Sequence, residues 1–253
     1  MSKLKDKVAV ITGGNSGIGL ATAREFIAQG AKVVITGRNQ AAIDAAAREL
    51  GSTVTGVLAD TADLQHTDAL VAKVKALYDK VDILFINAGV GKFFPIELAT
   101  EEQFDQIMNI NYKGAYFTLS KFVPLLRDGA SVILLSSINA TAGLANSSVY
   151  GGSKAALNSL AKVASIELSP RKIRVNSVSP GPIDTPILNK TGLDAATLEG
   201  FTGALRNKLP LKRLGIASEV AKLVTFLASD DAGFITGSDY LIDGGIAVNT
   251  VLS

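Results

Sequence analysis

The chain has 253 residues, 47% of them apolar and 19% charged, with 24 Gly, one His and neither Cys nor Trp. That length can bury a large core, in one large domain or two small ones. The absence of Cys excludes thiol nucleophiles, disulfides, iron–sulfur clusters and Cys-zinc sites, and the lone His66 leaves no His-based metal centre and little room for a Ser-His-Asp triad. The net charge of +2, from 25 basic and 23 acidic residues, is too balanced for a nucleic-acid-binding surface. Chemistry therefore falls to Ser, Tyr, Lys, Asp, Asn or a bound cofactor.

The first residues run directly into a strand pattern, without the apolar core of a secretion signal. The longest uncharged stretch, residues 129–153, is rich in Ser, Asn, Thr and Gly and does not read as a membrane span. A soluble cytoplasmic protein is expected. Strand-like runs are predicted over residues 7–12, 32–36, 53–58, 82–86, 131–136, 174–178 and 239–242. Helical patterns are predicted over 18–29, 40–50, 63–78, 101–126, 149–168 and 218–228. Most strand runs are continuously apolar, which suits a parallel sheet covered on both faces. The repeated alternation predicts a doubly wound α/β sheet. Residues 186–210 break the pattern with weak periodicity and Gly192, Gly200 and Gly203, and read as a lid within a single domain.

The first strand runs into Thr12-Gly-Gly-Asn-Ser-Gly-Ile-Gly19, and a helix follows. Glycines here let backbone approach a pyrophosphate, and the helix start supplies free N–H groups. The spacing is Gly-x3-Gly-x-Gly rather than the commoner Gly-x-Gly-x2-Gly. Gly13, Asn15, Ser16, Gly17, Ile18 and Gly19 are therefore candidate cofactor contacts. The second strand leads into Gly37-Arg38-Asn39, with no acid to bond the 2′-hydroxyl of an NAD ribose. Arg38 can instead pair with the 2′-phosphate of NADP, or stand as a solvated charge beside a helix. NADP(H) is the expected cofactor, with NAD(H) as the weaker alternative. The third strand is followed by Asp60 and Thr61, and the fourth by Asn87-Ala88-Gly89, at the sheet edge where such folds bind ligands. Asp60 suits an adenine amino group and Asn87 a tie between strand ends, though either is also a common turn former.

Ser137 closes the fifth strand, and Tyr150 and Lys154 share one helix face at a spacing of four. An ammonium beside a phenol favours the phenolate, and such a Tyr can exchange a proton with a carbonyl oxygen. Ser137 can hydrogen-bond that oxygen. In their order along the chain, Thr12–Gly19, Asp60, Asn87–Gly89, Asn111, Ser137, Tyr150-Gly-Gly-Ser-Lys154, Pro180-Gly-Pro-Ile-Asp-Thr185 and Asp243-Gly-Gly245 resemble the short-chain dehydrogenase/reductase family over essentially the whole length.

That resemblance implies a seven-stranded parallel sheet in a single Rossmann domain, with helices on both faces. It implies Tyr150 as general acid and base, Lys154 as the group that holds the nicotinamide ribose and lowers the Tyr150 pKa, and Ser137 on the substrate oxygen. Asn111 would support a water that relays protons through Lys154. Pro180, Gly181, Ile183 and Thr185 would face the nicotinamide. Two positions depart from the family pattern: Ile86 stands where Asn is frequent, and Ser16 where many NADP users carry a basic residue. The loop after Ser137 lines the substrate pocket in the family, so Asn139, Leu144, Ile187 and Leu188, with Phe93, Phe94 and Phe201, are candidate walls for an apolar ketone. The charge-poor helix over 149–168 predicts a homotetramer built with its neighbour over 101–126. Competing readings are a 3-oxoacyl thioester reductase, for which Lys190, Arg206, Lys208, Lys212 and Arg213 would form the basic patch, a sugar dehydrogenase, and a non-catalytic nucleotide sensor. An enoyl reductase fits less well, because that branch usually separates Tyr and Lys more widely.

Overall fold

The computed structural model describes residues 2–185 and 194–248. Seven parallel strands form one sheet: β1 (Val8–Ile11), β2 (Lys32–Gly37), β3 (Val54–Leu58), β4 (Val81–Ile86), β5 (Leu126–Leu135), β6 (Arg174–Pro180) and, at the far edge, β9 (Asp239–Ile242). Their order is β3-β2-β1-β4-β5-β6-β9, so the winding reverses between β1 and β4. A separate two-residue pair joins β7 (Ile183–Asp184) to β8 (Gly215–Ile216).

Side chains alternate across the sheet and both faces are covered. Val10, Val34, Leu84, Val132 and Val175 pack on one face against α3 (Leu64–Tyr78), α5 (Gly114–Phe122) and α6 (Ser148–Glu167). Ala9, Ile11, Val33, Ile35, Ile83, Phe85 and Ile133 pack on the other, against α1 (Gly17–Ala28), α2 (Gln40–Leu50) and α8 (Ala217–Ala228). Two apolar faces explain why the strands read as continuous apolar runs.

One predicted helix is corrected. Residues 101–126 form α4 (Glu101–Met108), a π turn (Asn109–Lys113), α5 and a short 3-10 turn (Val123–Leu125), and the strand begins at Leu126. Pro124 cannot continue the helix. Within the segment read as a lid, residues 186–193 lie outside the described residues. The part that follows contains a regular helix, α7 (Ala195–Lys208), despite Gly200 and Gly203. Its far end is tied to the sheet, where the Leu211 N–H donates to the Gly244 carbonyl and the Gly215 N–H to the Pro182 carbonyl. Among the described residues, no helix is long and apolar enough to cross a membrane.

Candidate active site

The site lies at the carboxyl edge of the sheet, over the β1–β4 switch. Thr12 Oγ1 accepts from the N–H groups of Asn87 (3.0 Å) and Ala88 (3.1 Å). Asn87 Nδ2 donates to the carbonyls of Thr12 (2.9 Å) and Gly13 (3.1 Å). These bonds tie the ends of β1 and β4 together. The Gly13 and Gly14 N–H groups donate to Thr36 Oγ1 (3.3 Å) and the Thr36 carbonyl (2.9 Å), which fixes the glycine loop to β2. Gly13 has φ +63°, and a Cβ at Gly19 would lie 2.4 Å from the Gly13 carbonyl oxygen. No other residue type fits that approach of helix to loop. The start of α1 at Gly17, Ile18 and Gly19 carries no acid in its first turn, and Ser16 makes no side-chain cap. This is the cradle a pyrophosphate requires.

The ribose end is less committed. Arg38 is exposed and, among the described residues, has no ion-pair partner. Asn39 Oδ1 accepts from the Ala42 N–H (2.9 Å) and caps α2, so its amide oxygen serves the helix. Asp60 Oδ1 closes a turn by accepting from the Ala62 N–H (3.0 Å). Thr61 is buried, with its carbonyl beneath Gly114 at the start of α5. His66 is exposed near the start of α3, with Nδ1 facing the Asp60 N–H at 3.4 Å.

The reactive groups converge at the end of β5 and the first turns of α6. Lys154 is buried; its Nζ donates to the Leu135 carbonyl (2.8 Å) and stands 5.8 Å from the centre of the Tyr150 ring. Ser136 Oγ donates to the Lys154 carbonyl (3.0 Å), locking strand to helix. Ser137 is buried at the start of the next turn, with Oγ accepting from the Asn139 N–H (3.2 Å). Asn111, buried in the π turn, accepts from the Val90 N–H (2.8 Å) and donates to the Val90 carbonyl (3.0 Å) and to Ser153 Oγ (3.1 Å). Ser153 Oγ in turn donates to the Tyr150 carbonyl (2.7 Å). A Cβ on Gly89 would stand 3.2 Å from Asn111 Oδ1 and 3.4 Å from Lys154 Nζ, so these groups face one small space.

Burial sets both proton affinities. It pulls the Lys154 ammonium down to about 8 from its ordinary 10.5. It pushes the Tyr150 phenol above its ordinary value, partly offset by a hydrogen bond with Ser137. This corrects the expected lowering of Tyr150 by Lys154: in the structure, removal of the phenol from water dominates. Phe93 adds to that enclosure, packing edge-on against Tyr150 with ring centres 5.4 Å apart.

Asn139 and Leu144 line an open cleft of about 410 Å³ with Ile96, Thr141, Asn146 and Gly152. The cleft lies beside the reactive groups; Tyr150 and Lys154 do not line it. The Phe94 N–H donates to the Asn146 carbonyl (2.8 Å), which clips the loop after β4 to the loop before α6. Ile187 and Leu188 lie outside the described residues, as does the side chain of Phe201. Pro180 ends β6, Ile183 is buried in β7, and Gly181 sits against Asp243 at the end of β9. Thr185 Oγ1 lies 3.5 Å from the Ile183 carbonyl oxygen, and donates to it. Sequence reasoning missed Ser153 and the Leu135 carbonyl. The first is one Ser in a run of small residues, and the second carries no side-chain signal.

A protein-family profile described as Enoyl-(Acyl carrier protein) reductase matches residues 13–247. The chain is 41% identical over 249 residues to the oxidoreductase asL5 of Sarocladium schorii, covering 98% of each protein. The fold matches levodione reductase with a TM-score of 0.93 at 31% identity, over 98% of this chain and all of that one. It also matches a 3-ketoacyl-(acyl-carrier-protein) reductase from Brucella melitensis, solved in complex with NADH, with a TM-score of 0.89 at 34% identity over 96% and 99% of the two chains.

The buried Lys154 has a measurable consequence. Its folded-state value lies below its unfolded one, so between about pH 8 and 10 the unfolded chain binds more protons and folding stability rises with pH. Denaturant titrations of the wild type and Lys154→Met should therefore diverge over that range. The wild type should gain up to about 3 kcal/mol relative to the variant as pH rises. Parallel pH profiles would show that Lys154 is not perturbed by the fold.

Proposed function

The chain belongs to the short-chain dehydrogenase/reductase family, and from that premise we propose that it is an NADP(H)-dependent carbonyl reductase acting on an apolar ketone. It is an oxidoreductase of a family that uses NAD(P)(H) on small-molecule substrates. The observation that carries the finer reading is a buried Lys154 ammonium gathered with Tyr150, Ser137 and Gly89 into one crevice. A binding module has no need for that set.

The residues present fit a dinucleotide. The Gly13–Gly19 cradle takes the pyrophosphate, Asn87, Ala88 and Gly89 leave room behind it, and two of the three Lys154 N–H donors remain for ribose hydroxyls. When bound, the nicotinamide supplies or accepts the hydride. The protein orients and polarises the substrate. Ser137 and Tyr150 hydrogen-bond the substrate oxygen, and Tyr150 delivers its proton as negative charge develops there. A phenol raised by burial is fully protonated at neutral pH, so the resting site is set for reduction. Oxidation needs the phenolate and should rise with pH. The Asn111 side chain is engaged with Val90 and Ser153, so the water support implied by the family falls to its main chain.

An unpaired, exposed Arg38 next to Gly37, without a strand-end acid, supports NADP(H). The half-exposed Phe93 against Tyr150 supports an apolar substrate. The thioester reading has the family description and the Brucella relative in its favour. Against it, the basic patch it would use is already engaged. Arg206 pairs with Glu199, Arg213 forks onto Glu219, and Lys212 Nζ donates to the Asn207 carbonyl. A homotetramer and a cytoplasmic setting complete the proposal. Apolar Val163 and Ile166 stand exposed on α6, and Phe104 and Tyr116 on α4 and α5, the two faces reserved for subunit contact.

With a panel of ketones and NADPH, Tyr150→Phe should lose about 10²–10⁴-fold in kcat with little change in folding. Equal rates would reject the mechanism. Arg38→Ala should weaken NADPH by about tenfold or more, the worth of a charge-assisted phosphate bond, and leave NADH nearly unchanged. Retained NADPH preference would reject the phosphate anchor. Light scattering after size exclusion should give four times the chain mass; a stable monomer would overturn the assembly.

A further inference from the structure

Strand β2 ends at the buried Gly37. Its φ is not positive, so its conformation does not demand glycine. Its surroundings do. A Cβ there would stand 2.7 Å from Asn15 Oδ1, 2.9 Å from Asn15 Cγ and 3.2 Å from Ile43 Cγ1. Two side chains thus claim one place, Asn15 from the glycine loop and Ile43 from α2. The Ile43 contact is tight but can yield by a few tenths of an ångström. The Asn15 contact cannot yield by rotating the amide alone, because Cγ is also too near; the whole side chain has to leave. The loop cannot drift away easily, since the Gly13 and Gly14 N–H groups are bonded to Thr36, the residue before Gly37.

We propose that Asn15 is a cofactor-specificity determinant, matched in size to Gly37. Its amide fills the place from which a strand-end carboxylate would grow to bond the ribose 2′-hydroxyl. The chain therefore cannot acquire carboxylate readout of NAD by changing Gly37 alone. The inference rests on the reading of the glycine loop and Arg38 as a dinucleotide site. It adds a coupling between positions 15 and 37 that the reading does not require.

Equilibrium titration with 2′,5′-ADP and 5′-AMP tests it without turnover. Gly37→Ala, which adds only the Cβ, should weaken both fragments by about tenfold. Adding Asn15→Gly should restore them, whereas adding Ile43→Val should not. Gly37→Asp alone should bind 5′-AMP poorly, and Asn15→Gly with Gly37→Asp should favour 5′-AMP over 2′,5′-ADP. Relief by Ile43→Val but not by Asn15→Gly, wild-type affinity in Gly37→Ala, or a full switch by Gly37→Asp alone would each overturn the coupling. If Gly37→Ala binds nothing, the thermal midpoints of the same variants decide, with rescue by Asn15→Gly expected and rescue by Ile43→Val contrary. The wild-type preference between the two fragments reports separately on the Arg38 reading.

Discussion

The site depends on one polar knot, the hydroxyl of Thr12 shared between two N–H groups of the β4 end and the Asn87 amide reaching back to two carbonyls of the β1 end. At this point the winding of the sheet reverses, so the two connections leave in opposite directions and a crevice opens between them. A crevice at a strand junction exposes backbone groups that the sheet no longer pairs. Thr12 and Asn87 satisfy those groups internally, which keeps the floor rigid while leaving the space above it free. The glycine loop, the loop carrying Gly89 and the end of β5 all take their positions from this floor.

The reactive pair is built on the same economy of water. Phenol and ammonium are both driven toward their neutral forms by enclosure. A buried ammonium held by one carbonyl, with donors to spare, is an unfinished arrangement in a protein interior. Ligand hydroxyls finish it. The cost of burying the charge is thus borne by the fold before a ligand arrives, as expected where function overrides stability.

Much of this was legible in the chain itself, and the exceptions have physical reasons. The strands were readable because apolar cover on both faces leaves uninterrupted Val, Ile and Leu runs. Tyr150 and Lys154 were readable because a helix turns a spacing of four into a shared face. The interruption at 109–113 was not, since a π turn keeps the apolar character that a helix pattern tracks. Nor was α7, whose two glycines read as breakers although Ala and Leu around them favour a helix. The two-residue strands β7 and β8 are too short to carry any period. The direction of the Tyr150 shift was misjudged because one neighbour at fixed spacing is visible in sequence, while enclosure by many distant atoms is not. The close fit of Asn15 to Gly37 joins positions whose meeting depends on the sheet.

The π turn also fixes how the chain can vary. A turn wound one residue wider than an α-helix displaces everything beyond it by one position, about 100° around the axis. The outward face of α4 and the outward face of α5 therefore lie on different sides of what would otherwise be one cylinder. Loss of a single residue between Asn109 and Lys113 would convert the segment into a continuous helix with unbroken hydrogen bonding. The same deletion would swing Asn111 away from Val90 and Ser153 and rotate Tyr116 off its present face. At this point in the chain, substitution is tolerable but a change of length by one is not, because the helix counts residues and the site reads the count.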